Sequence, residues 1–161
     1  MSDEKTFTLA QAHKHFACNL NGEVWRLLDK ADRSADDDTR MLAAAFASHY
    51  HWLHAGTPVN ALRGEWLISR VYAVLGNASE ALRHARACMV LAERRGEDAK
   101  DFDYAYAKEI LARAWALNGA KEEAAALRAE AQALADQVAD EEDRKIVLAD
   151  LAWGPWGVLS A

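Results

Sequence analysis

The chain has 161 residues and a net charge of -6, from 19 basic and 25 acidic side chains. Hydrophobic residues make up 52% of it, which excludes a disordered polypeptide, and the length suffices to bury a core without disulfides or metals. The acidic balance lacks the basic footprint of a nucleic-acid binder and the polybasic stripe of a membrane-surface protein, and no apolar run is long enough to span a bilayer.

Alanine contributes 35 residues and proline only two, so helices are favoured and sheets are not. Cys18 and Cys88 fall inside expected helices without metal-type spacing. Read as buried small apolar residues, they suit a reducing cytoplasm. The polar start Met1–Lys5 is unlike a signal peptide, so the expected location is cytoplasmic.

Seven helices are expected in chain order. The first runs from about Thr8, capped with Gln11, to Lys30, with an interruption at Asn21–Gly22. The second, Asp37–His54, opens on three aspartates at its positive end. The third, Pro58–Leu75, starts with Thr57 as N-cap and proline in the first turn, and carries Leu62, Trp66, Ser69, Val71 and Leu75 along one side. The fourth, Ala78–Arg95, is announced by Asn77 and Glu80; the fifth is Lys100–Leu117 and the sixth Lys121–Ala139. The seventh, Glu141–Ala152, begins at an acidic cluster. Gly56, Gly76, Gly96 and Gly119 each follow a helix, where a left-handed residue ends it. Connections this short make neighbouring helices antiparallel.

Two segments align without gaps at an offset of 43 residues. "EWLISRVYAVLGNASEALRHARACMVLAE" pairs with "KEILARAWALNGAKEEAAALRAEAQALAD", so that Ile68, Tyr72, Gly76, Glu80 and Ala81 match Leu111, Trp115, Gly119, Glu123 and Ala124. These positions resemble the tetratricopeptide (TPR) repeat: large and small residues in helix A, an aromatic near its end, glycine at the turn, then Glu-Ala opening helix B. Small residues such as Ser69, Ala112, Ala81 and Ala124 let helices A and B approach closely. The unit is longer than the family's by about one turn per helix, and it lacks the terminal proline. "GTPVNALRGEWLISRVYAVLG" is also similar to a segment of a bacterial TPR-like group, a likeness that implies no activity.

The resemblance implies an all-α fold, with antiparallel α-hairpins stacked as a short right-handed TPR-like solenoid in one domain over 1–161. Residues 1–56 form a degenerate N-terminal hairpin, with Ala45 and Ser48 at its small positions. Repeats follow over 57–96 and 97–139, and 140–161 form a capping helix and apolar tail. It also implies a concave face lined by the A helices. On that face fall Arg63, Trp66 and Arg70 from the third helix and Tyr106, Glu109 and Arg113 from the fifth. Arginines among aromatics are suited to an extended acidic peptide or a terminal carboxylate. The competing reading is structural: Glu109 and Arg113 are spaced to pair with each other, and Trp66 suits the core.

Chemistry is thinly signalled. His49, His51 and His54 crowd one helix end, and only His51 and His54 share a face as metal ligands do. His54 also suits a helix C-terminus, and Glu80 with His84 is an ordinary surface spacing. No nucleophile elbow, phosphate loop or Cys-x-x-Cys occurs, and Ser48 and Ser69 sit where serine is simply small. Trp25, Trp52, Trp66 and Trp115 are expected in the core. Trp153 and Trp156 lie in a tail that either folds back or docks on a second copy. The expectation is an interaction module for a protein or peptide, more a binder than an enzyme, with no cofactor, nucleic acid or membrane. A homodimer through Trp153 and Trp156 is allowed. The alternative is a small-ligand or metal-binding bundle, or an enzyme, using His51, His54 and the groove arginines.

Overall fold

The computed structural model describes residues 6–94, 96 and 98–159. These form α1 (Leu9–Leu28), α2 (Ala35–Ala55), α3 (Pro58–Val74), α4 (Ala78–Glu93), α5 (Asp101–Leu117), α6 (Lys121–Asp136) and α7 (Glu141–Ala152), then a 3-10 turn at Gly157–Leu159. No strand occurs among the described residues. Met1–Lys5, Arg95, Glu97, Ser160 and Ala161 lie outside them.

The helix ends follow from local chemistry. Thr8 and Gln11 form a reciprocal capping box on α1, and Ser34 and Asp37 do the same on α2. The cap of α2 is therefore Ser34, with Asp36–Asp38 in the first turn. Each such cap is worth about 1 kcal/mol. Asn60 accepts from the Thr57 N–H, Asn77 from the Glu80 N–H, and Asp140 from the N–H groups of Glu142 and Asp143. Gly76 (φ 75) and Gly119 (φ 83) are left-handed, and each is followed by an N–H that bonds back across the turn, Asn77 to the Tyr72 carbonyl and Ala120 to that of Trp115.

The helices pack as three hairpins, α1/α2, α3/α4 and α5/α6, with α2 against α3 and α4 against α5 joining them in sequence order. The A helices α3 and α5 also touch, and α7 with the 3-10 turn lies on α5 and α6. The small positions sit at the seams: Ser69, Ala81, Ala112 and Ala124 have no exposed surface. Ser69 donates from Oγ to the Ala81 carbonyl on α4, and Ser48 donates to the Ala17 carbonyl on α1. Each satisfies its hydroxyl at a close helix approach. Helix α3 is buried nearly all round, from Leu62 through Ile68 to Ala73, because it has neighbours on both sides of the stack. One core cluster runs through α1–α5; a second joins α5, α6, α7 and Trp156.

Several expectations are corrected. Helix α1 continues unbroken through Asn21–Gly22, because nothing crowds Gly22 and its neighbours stay in the ladder. Gly56 is extended (φ -107, ψ -170) and is needed for space instead: a Cβ there would lie 2.7 Å from Asn60 Oδ1 and from the Trp52 carbonyl oxygen. Gly96 is not among the glycines with positive φ. Cys88 is buried but Cys18 is exposed, on the outer side of α1. Of the four helical tryptophans only Trp66 is buried; Trp25, Trp52 and Trp115 are half-buried.

Candidate functional site on the A-helix face

The 43-residue offset that relates α3 to α5 also sets their polar side chains against each other. Trp66 Nε1 donates to Glu109 Oε2 at 3.1 Å, across that same interval. Glu109 Oε1 accepts from Arg113 Nε at 2.7 Å, and the Arg113–Glu109 ion pair closes at 2.6 Å with both side chains buried. Burial pulls the Arg113 guanidinium below its ordinary pKa. Arg63 holds Asp103 through two bonds, Nε to Oδ1 at 2.8 Å and Nη2 to Oδ2 at 2.9 Å. That fork raises the arginine's pKa. The same carboxylate also accepts from the Lys100 N–H and so fixes the start of α5.

Helix α7 supplies a residue that sequence reasoning missed. Asp150 accepts from Arg70 Nη2 at 2.9 Å and from the Tyr106 hydroxyl at 2.7 Å, tying α3 and α5 to the last helix. Burial first, and then this bond, push the Tyr106 hydroxyl far above its ordinary pKa. The guanidinium of Arg70 lies among three indole rings, 5.5 Å from Trp25, 5.1 Å from Trp66 and 4.4 Å from Trp153. Its Nε and Nη1 are buried without a hydrogen-bond partner in the protein. The three ring faces offer a cation the partial compensation available in an apolar site.

The tail folds back on this face. Arg113 donates to the Pro155 carbonyl at 2.9 Å and to that of Asp150 at 3.1 Å. Trp156 is buried between Arg113 and Arg128, 4.2 Å from each guanidinium, and its Nε1 donates to the Leu151 carbonyl. Gly154 (φ 81) and Gly157 (φ 50) make the bends; a side chain at Gly157 would strike the Ala116 carbonyl. The lower A-helix face, with Arg70, Glu109 and Arg113, is thus occupied by the chain's own C-terminal segment.

The Arg63 end stays open. A cavity of ≈ 390 Å³ lies there between four helices. Trp25 comes from α1, Leu62, Trp66 and Leu67 from α3, Phe102 and Tyr106 from α5, and Ile146 from α7. Its polar edge is Asn21, Arg63, Asp103 and Asp150. Of the six residues expected on this face, Arg63, Trp66 and Tyr106 reach the cavity; the other three lie in the network behind it. Trp25 and Ile146 carried no signal of their own, being apolar residues on helices outside the two aligned segments.

The histidines divide differently from their order in sequence. His13 of α1 meets α2, with its Nδ1 2.9 Å from His51 Nδ1 and its ring stacked on His54 at 4.6 Å. His49 and His84 both face Glu65, whose Oε2 lies 2.6 Å from His84 Nδ1. Among the described residues no group of three or more His, Cys, Asp or Glu side chains is arranged to hold a metal ion.

The fold and site define an all-α protein of stacked helical hairpins, with a walled apolar cavity beside a buried network of ion pairs. No family model, no curated protein and no solved structure matches the chain.

Proposed function

We propose that the chain is a TPR-like interaction module, a short right-handed solenoid in one domain, which takes a neutral apolar side chain of a protein or peptide partner at the Arg63 end of the A-helix face. The cavity carries the reading. Its volume lies at the lower end of the range for specific sites, about 300–1,000 Å³, and suits one large side chain better than a cofactor. Charge decides the ligand class. Arg63, Arg70 and Arg113 are each matched to one carboxylate, Asp103, Asp150 and Glu109. A charged group entering here would break a pair and leave its partner buried, at a cost of about 3–5 kcal/mol. An aromatic or branched aliphatic side chain gains burial against Trp25, Trp66 and Phe102 without that cost. The TPR reading rests on the matched small positions at the hairpin seams, and the unpaired thiols Cys18 and Cys88 favour the cytoplasm as its compartment.

Selection from a displayed peptide library tests this. Peptides sharing one aromatic or aliphatic anchor are expected, and Ile146→Arg is expected to weaken them at least tenfold while the exposed position leaves the fold intact. Enriched peptides that bind that variant as well as the parent would place recognition elsewhere.

A further inference from the structure

The opposite end of the stack has the other unusual surface. Seven rings touch in an unbroken run across the open end of the first hairpin, Phe7–His15–Phe16–His51–His13–His54–Tyr50, with successive centroids 4.6 to 5.8 Å apart. Phe7, Leu9, Phe16, Tyr50 and Leu53 are each half or more exposed there. The chain is 27% charged, yet from Thr6 to Gly22 its only charged side chain is Lys14, and from Met41 to Ala55 there is none apart from histidine.

We propose that a second copy of the chain docks on this α1/α2 end, forming a two-fold dimer. Charge selects the occupant. A basic partner would find no carboxylate on these segments and an acidic one only Lys14, and in a symmetric pair the patch must face itself. On a chain of net charge -6 most surfaces repel their own copy, whereas these two segments carry a single charge, Lys14, apart from histidine. Area permits it as well. The five exposed apolar side chains present about 500 Å² per copy, so a pair buries roughly 1,000 Å², the lower bound of a specific interface. The apolar tail, the other surface suited to pairing, is used inside the chain, with Trp156 buried.

Size-exclusion chromatography with light scattering on the full chain, at high micromolar concentration, reads this directly. A dimer is expected at about pH 8. Tyr50→Lys with Leu53→Lys gives a monomer, with unchanged helical circular dichroism, and Phe16→Lys on α1 gives an independent second reading. Mixing the Lys pair with a Tyr50→Glu/Leu53→Glu chain restores a dimer. A parent chain that is monomeric at pH 8 overturns the proposal. So does a dimer that survives all three Lys substitutions, or one lost only on Trp153→Ala.

Discussion

Asp150 and Arg70 stand 80 residues apart in sequence and meet at 2.9 Å, closing the C-terminal helix onto the middle of the stack. The arginine is almost wholly buried, and the carboxylate also takes the Tyr106 proton donor.

Asp150→Ala leaves a buried guanidinium with only ring faces for partners. Loss of about 3 kcal/mol is expected from urea unfolding. Tyr106→Phe should cost only about 1 kcal/mol, since one neutral donor is removed. Arg70→Met with Asp150→Leu should recover most of the loss, because an apolar pair of similar volume needs no compensation. Equal destabilisation by the double and the single variants would show that packing, and not the charge, matters here.

Trp156→Ala should be as damaging as a core substitution, about 3–5 kcal/mol, although the residue lies in the tail. The indole fills the space between Arg113 and Arg128 and completes the second core cluster. Trp153→Ala should cost far less, because that ring is 40% exposed. Thermal melts of the two variants separate them.

Gly64 is a contact glycine of α3. A Cβ there would fall 2.0 Å from His49 Nδ1 and 2.8 Å from the Cγ of the same ring, so α2 and α3 could not keep their approach. Gly64→Ala is expected to destabilise by roughly 1–3 kcal/mol, as overpacking does. Adding His49→Ala should return part of it. Additive losses in the double variant would place the clash elsewhere.

Stability should fall as pH drops below about 6.5. His13 is held below its ordinary pKa by burial and by His54 and His51; His49 is held below by burial, against the pull of Glu65. For both, the unfolded chain takes up the proton more readily. The stabilisation is therefore present above the unfolded value and is lost as pH falls toward the folded one. Melting temperatures between pH 7.5 and 5.5 should decline less in His13→Gln with His49→Gln than in the parent. Asp37, brought to about 2 chiefly by its bond to Lys30, loses its contribution only at much lower pH. Parallel curves for parent and variant would remove the histidines from the account.

The helices, their antiparallel order and the small residues at their seams were legible in sequence. Caps, turn glycines and apolar spacing act within one or two helical turns, and the two segments that align at an offset of 43 residues carry the same short-range rules. Thr8 with Gln11, and Ser69 matched to Ala112, needed nothing distant to be read. The six A-helix residues could be named for the same reason, because a 43-residue offset places Trp66 over Glu109. Which of them face solvent was decided only by tertiary structure. Asp150, Pro155 and Trp156 reach Arg70 and Arg113 across 37 to 80 residues, where no periodicity relates one side chain to the other. The joining of His13 to His51 and His54, and the walling of the cavity by Trp25 and Ile146, depend likewise on the angle at which packed helices cross. That angle is fixed by the whole set of interdigitating side chains and belongs to no segment alone.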